Sequence, residues 1–269
     1  MLKRGLGCEK PSFDSRDYQF SDLVVGVNRT KSSTFPEEYL PIITGPLYDQ
    51  GDTQMCCACA LSTARFVFEL NDSGNIRFFS PGYIYGNRCK SSVIEGMYEG
   101  EGMYLKDAMK QLINKGICYA DSLDVFGPYR FCKSKYLENS IPLDKEAYPF
   151  RISSYYAVKT EKEIMTAIMG TGAVVCSFLV TSGWFDVGKD GIIPTSGNIE
   201  GGHAVLIVGW KKINDKKYWI IQNSWGPNWG DEGFGYIEWD ECKMMLEAYC
   251  LVDSIKEAEF RSKVIEEGD

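Results

Sequence analysis

The feature that most constrains the fold is a change of pattern between the two halves of the 269-residue chain. In the first half, the segment 57–70 is apolar on nearly every side, and Arg65 and Glu69 are its only charged residues. A helix of that composition is buried on all faces. The second half instead contains short apolar runs that are typical of buried strands: 173–179, 204–209 and 218–221.

Two further helices are predicted from residue periodicity and from glycine stop signals. One covers 105–114 and ends before Gly116, and the other covers 161–169 and is followed by Gly170 and Gly172. A helical first half followed by a strand-rich second half predicts an α+β fold with two lobes.

The chain divides into a polar arm, a two-lobed body and a charged tail. The arm lacks hydrophobic periodicity and the tail is rich in charge, so neither is expected to belong to the core. The predicted units are the arm (1–34), the body (35–253) with a helical lobe (about 50–150) and a strand-rich lobe (about 151–253, with 35–49), and the tail (254–269).

Composition excludes several classes of function. The net charge of −8, from 29 basic and 37 acidic residues, disfavours nucleic-acid binding, and no basic cluster marks a membrane surface. No run approaches about eighteen apolar residues, so no transmembrane helix is predicted. Because the first twenty residues carry no apolar signal stretch, we expect a cytoplasmic protein.

The ten cysteines and the single histidine narrow the chemistry further. Three cysteines crowd into 56–59, where neighbouring side chains diverge, so we interpret most of the ten as reduced, buried thiols in a reducing compartment. Because His203 is the only histidine, zinc sites with two histidines are excluded, whereas a thiol–imidazole pair needs only one. No cofactor is expected.

Cys56 is the candidate nucleophile. It lies where the turn at Gly51 leads into the buried helix, and Asp52 and Thr53 are the expected capping residues. The positive end of the helix macrodipole favours the thiolate, which is the nucleophilic form of cysteine. Taken alone, Cys56 is better interpreted as an inert buried thiol.

His203 and Asn223 are predicted to face each other across a hairpin. A loop at 211–215 with Trp210 opposite Lys216 places the two side chains opposite each other, with Cβ atoms about 4.5–5.5 Å apart. The Asn223 oxygen would then accept the imidazole N–H and fix the orientation of the ring. Taken singly, His203 fits a hydrogen-bonded core residue and Asn223 fits a turn.

Two indoles follow this polar pair in the sequence. Trp225 is expected to cover the hydrogen bond between His203 and Asn223 and to exclude water from it, and Trp229 lies close by. Ordinary aromatic packing is the alternative explanation for both.

Three motifs in this order resemble those of the papain-like cysteine peptidases. They are Gln50-Gly51-(four residues)-Cys56, Gly202-His203-Ala204-Val205, and Gln222-Asn223-Ser224-Trp225-Gly226-(two residues)-Trp229-Gly230. The resemblance extends from about residue 36 to residue 252. It is greatest for a compact bacterial or viral branch with a short N-terminal extension, which Glu101-Gly102 also fits.

The resemblance implies a catalytic role for four residues. Cys56 would attack the peptide carbonyl and form a thioester, with His203 as its ion-pair partner and general acid and base. Asn223 would orient His203. Gln50 would donate its side-chain N–H to the oxyanion, together with the backbone N–H of Cys56.

The resemblance also implies where a substrate binds. The partner would be a peptide or protein held in a cleft between the two lobes, along Gly102, Met103 and Tyr104 and beside Trp225. The arm 1–34 is expected to fold over this cleft and to act as an intramolecular inhibitor; a surface strap or a disordered tail is the alternative interpretation.

The chain departs from the usual family pattern at several positions around these motifs. None of the changed positions supplies a group that carries charge in the reaction. The changes affect mainly the width of the cleft. They are Gln54-Met55 for Gly-Ser, Cys57 and Cys59 for aromatic residues, Gly202 for Asn or Asp, and Thr53 for a cysteine that forms a disulfide in secreted members.

A second class of function uses the cysteines differently. In a helix, Cys56 and Cys59 lie on one face, so with Cys57 and with Cys89 or Cys118 they would bind a metal or cycle between thiol and disulfide. In that case the match at the histidine and asparagine motifs has no explanation.

Overall fold

The structure, a computed structural model, describes five stretches of the chain, with backbone alone at 241–243: 4–9, 17–23, 35–40, 44–88 and 100–252. The predicted tail, most of the predicted arm, and Cys89 lie outside the described residues. Within those five stretches, no helix is long and apolar enough to cross a bilayer.

The helices include all three that the sequence predicts. The predicted bounds of 105–114 are those observed, and the other two helices extend beyond their predicted ends. The α-helices of the described residues are α1 (Phe20–Leu23), α2 (Cys56–Ser73), α3 (Pro81–Gly86), α4 (Leu105–Asn114), α5 (Tyr129–Glu138), α6 (Ser140–Ala147) and α7 (Glu161–Thr171).

The start of α2 differs from the expectation. Asp52 and Thr53 do not cap it: Met55 is the N-cap residue, and no side chain caps the helix. The reason is the turn before it, where the Thr53 hydroxyl donates a hydrogen bond to the Gln50 carbonyl at 2.6 Å. The N-terminal end of α2, where Cys56 lies, therefore has no hydrogen bond from a capping side chain.

The strands form one antiparallel sheet with the order β1-β6-β2-β3-β4-β5. The three predicted strands correspond to β2, β3 and β4, and each is longer than predicted. Together with the helices of the first half, this sheet confirms the α+β class. The strands are β1 (Ser154–Ala157), β2 (Val174–Thr181), β3 (Ile199–Ile213), β4 (Lys216–Gln222), β5 (Phe234–Glu238) and β6 (Met245–Val252).

The hairpin of β3 and β4 has a different loop and register from those predicted. Its loop is only the pair 214–215, in which both residues have positive φ, 49° and 62°. Two residues of that conformation make the type I′ turn that suits the twist of a hairpin. Trp210 consequently pairs with Trp219 rather than with Lys216, so the predicted loop at 211–215 is wrong.

Both faces of the sheet are buried, which explains why its strands are apolar almost throughout. Val175 and Leu206 belong to a core shared with α2, α3 and α4, whereas Val174 and Val205 belong to a second core with α7 and several tryptophans. This division follows from the alternation of side chains along each strand. Because α2 contacts β3, the helix lies against the sheet.

Candidate active site

Cys56 occupies the position in the fold that the sequence predicts for a nucleophile. It is the first residue of α2, where the backbone N–H groups of the first turn have no partner within the helix. Its side chain is fully buried. The helix N-terminus contributes a partial positive charge, which stabilises a thiolate.

The environment of Cys56 favours its charged form. Burial acts to raise the pKa of the thiol, but hydrogen bonds with Cys57 and with the His203 imidazole, and the charge of that ring, outweigh burial. A hydrogen bond from the Ala204 backbone acts in the same direction. The pKa of Cys56 is therefore well below its usual range, which favours the thiolate.

His203 is held by a hydrogen bond to Asn223. Its Nε2 lies 2.7 Å from Asn223 Oδ1, and both residues are buried. The Ser224 backbone N–H donates to the same Oδ1 at 2.7 Å, which identifies that atom as the oxygen. An oxygen can only accept, so Nε2 carries the hydrogen and Nδ1 is the ring nitrogen left to face Cys56.

This contact forms although Asn223 is not directly opposite His203. Gln222, the last residue of β4, pairs with Leu206 on β3. Asn223 therefore lies past the end of the strand pair and reaches His203 diagonally, a separation that side chains can span. The structure thus brings the two residues together through a register that the sequence analysis did not predict.

Aromatic rings enclose the imidazole. The Trp225 indole stacks on His203, with ring centroids 4.5 Å apart and an angle of 26° between the planes. Trp184 presents its edge to His203 at 6.5 Å and is held in turn by Trp229, whose indole N–H donates to the Trp184 carbonyl at 2.6 Å. Trp184 was missed by the sequence analysis because no motif marks it.

Gln50 joins the two lobes beside the nucleophile. Its Oε1 accepts a hydrogen bond from the Ser224 hydroxyl at 2.6 Å, and its backbone N–H donates to the Ser224 carbonyl at 2.9 Å. These contacts fix the amide so that Nε2 donates to the Thr53 carbonyl at 2.7 Å and to the Gly5 carbonyl at 3.1 Å. The side chain thus donates to a peptide carbonyl from the arm.

The arm segment 4–9 lies against the helical lobe and forms a β-bridge from Cys8 to Met103. The Gly5 N–H donates to the Gly51 carbonyl at 3.0 Å. Further along, Met103 N–H donates to the Gly7 carbonyl at 2.7 Å, and Glu9 N–H donates to the Met103 carbonyl at 3.1 Å. Met103 therefore holds a peptide backbone through both its donor and its acceptor.

The same segment also contacts the sheet lobe. The Cys8 N–H donates to the Gly202 carbonyl at 3.1 Å, and the Arg4 guanidinium donates to the Trp225 carbonyl at 2.8 Å. The segment 4–9 therefore bridges the two lobes through residues adjacent to the nucleophile and the imidazole.

Glycines in the arm and in the body let the segment lie this close. A Cβ atom at Gly7 would be 2.2 Å from the Gln54 carbonyl oxygen, and one at Gly202 would be 2.1 Å from the Cys8 carbonyl oxygen. Real Cβ atoms do not approach backbone oxygens so closely. The departure from the family pattern at Gly202 is thus explained by the passage of the arm.

Of the predicted substrate-binding residues, Gly102 and Met103 lie along the arm. A Cβ atom at Gly102 would be 2.2 Å from Glu9 Oε1. Tyr104 is the half-buried N-cap residue of α4, and its place in a substrate pocket stays a prediction.

The neighbouring thiols differ from Cys56. Hydrogen bonds with Cys56 and Cys8, together with burial, raise the pKa of Cys57, and burial raises the pKa of Cys59. Burial also raises the pKa of Cys118 to about 12. Among the described residues, no group of three or more cysteine, histidine or acidic side chains is arranged to hold a metal ion.

The arrangement can carry out nucleophilic chemistry on a carbonyl. It combines a thiol of lowered pKa, an imidazole of fixed tautomer and N–H donors directed at a peptide carbonyl. Those are the three groups that acyl transfer requires.

Comparisons with known proteins agree with this geometry. The family model described as "Papain family cysteine protease" matches residues 79–252. The chain is 38% identical over 120 residues to cathepsin B-like cysteine proteinase 3 of Ostertagia ostertagi, a match that covers 44% of this chain and 66% of that protein. It is 27% identical over 220 residues to cathepsin B-like cysteine proteinase 4 of Caenorhabditis elegans, covering 69% and 63%.

The fold is similar to that of solved structures. Xylellain, a cysteine protease from Xylella fastidiosa, superposes with a TM-score of 0.73 at 24% identity, over 94% of this chain and 98% of that one. At that identity the likeness concerns the fold alone. The chain spans about two thirds of the length of the two curated relatives named above.

Proposed function

The chain belongs to the papain family of cysteine proteases, and from that premise we propose that it hydrolyses peptide bonds with Cys56 as the nucleophile. The observation that carries the proposal is the lowered pKa of Cys56 beside an imidazole whose other nitrogen is held by Asn223 at 2.7 Å. A thiolate beside a charged imidazole is the active form for attack on a carbonyl.

In the first half of the reaction, the Cys56 thiolate attacks the carbonyl carbon of the scissile peptide bond. The oxygen becomes an oxyanion, which accepts hydrogen bonds from Gln50 Nε2 and from the backbone N–H of Cys56. His203 then donates its Nδ1 proton to the departing amine, the C–N bond breaks, and a thioester joins the acyl group to Cys56.

In the second half, His203 accepts a proton from a water molecule that attacks the thioester. The C–S bond breaks, the carboxylic acid product leaves, and the Cys56 thiolate and the imidazolium form again. Asn223 keeps the imidazole in one orientation in both halves. The Trp225 ring, which stacks on His203, excludes water from the hydrogen bond between His203 and Asn223 and so strengthens that bond.

The position of the arm supports a second part of the proposal, namely that 4–9 inhibits the enzyme from within. A peptide substrate needs the Met103 backbone groups and the Gln50 amide, and the arm occupies both. The arm also lies over the nucleophile, so a substrate carbonyl reaches Cys56 only after the arm has moved.

The test begins with the Gly7→Val variant of the full chain. A Cβ at this position would lie 2.2 Å from the Gln54 carbonyl oxygen, so the arm must leave the cleft. We expect hydrolysis of a fluorogenic peptide to rise at least about tenfold, because several backbone hydrogen bonds of about 1 kcal/mol each are lost from the inhibited state. Gly188→Val, where the nearest neighbour of a Cβ is Asp190 Oδ1 at 3.5 Å, an ordinary contact, is the matched control.

Cys56→Ser in the Gly7→Val background then tests the nucleophile. We expect hydrolysis to disappear, whereas Cys250→Ser, which changes a buried thiol on β6, should leave it unchanged. Hydrolysis by the Cys56→Ser protein at the parental rate would rule out the proposed mechanism. Equal activity of wild type and Gly7→Val would rule out only the second part of the proposal, which is inhibition by the arm.

A further inference from the structure

Arg88 is a buried charge close to the segment 100–103, whose Met103 holds the backbone of the arm, and the mechanism above does not use it. Arg88 lies two positions after the end of α3, and it is only 7% exposed. The guanidinium donates hydrogen bonds to two backbone carbonyls, those of Gly100 and Gly102. These two carbonyls lie only two residues apart in the chain. They are an unusual pair of partners for a buried guanidinium, which more often binds a carboxylate.

The contact with Gly102 bears directly on Met103. The Gly102 carbonyl and the Met103 N–H belong to one planar, trans peptide unit, in which the two groups point in opposite directions. Arg88 holds the carbonyl on one side, so the N–H points to the other side, where it donates to the Gly7 carbonyl at 2.7 Å. Drawing charge toward the carbonyl oxygen also makes the N–H a stronger donor.

Aromatic rings keep Arg88 in place, and a carboxylate keeps the segment 100–103 in place. The guanidinium lies 3.7 Å from the ring centroid of Tyr129 and 5.6 Å from that of Tyr85. The residue between the two glycines, Glu101, accepts hydrogen bonds through its carboxylate from the Tyr129 N–H at 2.7 Å and from the Tyr85 hydroxyl at 3.0 Å. Each of the three residues 100–102 therefore has a partner on the side away from the cleft.

We propose that Arg88 is a positioning residue for substrate binding, which fixes the peptide unit between Gly102 and Met103 so that the Met103 N–H meets a substrate carbonyl. The proposal rests on the proposed function only in that the occupant of the cleft is taken to be a substrate; the arm uses the same N–H. Arg88 touches neither the reacting atoms nor the thiol, so its loss affects the binding of the peptide backbone rather than the chemical step.

The kinetic test uses Arg88→Met and Arg88→Lys in the Gly7→Val chain. We expect Arg88→Met to raise KM about tenfold with kcat nearly unchanged, which is the size of one charge-assisted hydrogen bond. Arg88→Lys keeps the charge but binds one carbonyl at a time, so it should restore part of the loss. Arg77→Met is the control, because Arg77 also lies over an aromatic ring and has its ion pair with Glu69.

A count of reactive Cys56 by stoichiometric alkylation separates a misfolded variant from a weakly binding one. An unchanged KM in a variant with a full count of reactive thiols would overturn the proposal. So would an equal rise in KM for Arg77→Met, because the effect would then be general to the lobe.

Hydrogen exchange in the otherwise wild-type chain tests the same inference without activity. We expect the Met103 amide to exchange faster in Arg88→Met, whereas amides inside α4 keep their rates. Unchanged exchange at Met103 would overturn the proposal even in a fully folded protein. If the chain hydrolyses no peptide at all, the proposed function fails, and this measurement still decides the role of Arg88.

Discussion

The two sides of the candidate active site are held by different means. On the helical side, Cys56 is placed by the backbone, as the first residue of a buried helix without a side-chain cap. On the sheet side, His203 is placed by other side chains: Asn223 accepts its hydrogen bond, Trp225 stacks on it and Trp184 meets it edge-on.

This difference indicates which changes each side tolerates. A group placed by the backbone keeps its position when the side chains around it change, which fits the unusual residues Gln54, Met55 and Cys57 beside the nucleophile. A group placed by side chains loses a restraint with every substitution. None of the departures from the family pattern named above falls in the motif at 222–230, which supplies Asn223 and Trp225.

The largest effect is expected for His203→Gln in the Gly7→Val chain, because the acid and base of both reaction halves is lost. We expect kcat/KM to fall at least about a thousandfold. Met55→Leu, a change of similar volume at a buried helical position, should cost little activity. A loss of equal size for both variants, with folding intact, would break the comparison between the two sides.

A smaller effect is expected for Asn223→Ala, which leaves the imidazole in place without its partner at 2.7 Å. The ring then samples other orientations and tautomers, so we expect kcat to fall about ten- to a hundredfold with KM little changed. Stopped-flow or initial-rate kinetics measure the split. A KM effect alone would mean that Asn223 shapes the cleft instead of orienting His203.

The smallest effect is expected for Cys57→Ala on the helical side. The hydrogen bond with Cys57 lowers the pKa of Cys56, so its loss raises that pKa, and at a given acidic pH a smaller fraction is thiolate. The acid limb of the alkylation rate should move to higher pH by less than about one unit, as expected for one hydrogen bond.

The rate of iodoacetamide labelling at Cys56, followed from about pH 4 to about pH 10 by mass mapping, checks this shift. In the parent Gly7→Val chain, the lowered pKa of Cys56 should keep labelling fast well below the ordinary thiol pKa of about 8.5. An acid limb at the ordinary thiol value would contradict the lowered pKa, and a shift to lower pH in Cys57→Ala would contradict its cause.

Much of the fold follows from local sequence patterns. The helix at 105–114 has its predicted bounds because its periodicity and its glycine stop agree. The α+β class follows from the segregation of helical and strand patterns. The hairpin register does not, because 214–215 carries no glycine and its positive φ values were not recognised as a turn.

The site could be predicted only as far as motifs reach. Cys56, His203, Asn223 and Gln50 lie together where the three motifs imply, although the pairing that was to bring His203 and Asn223 together is wrong. Trp184 depends on long-range packing that leaves no local pattern. The contacts of 4–9 depend on backbone groups, which the sequence does not distinguish from one residue to the next.

The order of the site residues along the chain has a consequence for synthesis. His203 and Asn223 are 20 positions apart on one tight hairpin, so their half of the site depends on local contacts that form early. Cys56 leaves the ribosome long before either of them, and its thiol has no imidazole beside it until the second half of the chain has emerged and folded. The sulfur and the imidazole therefore meet only after most of the chain has been synthesised.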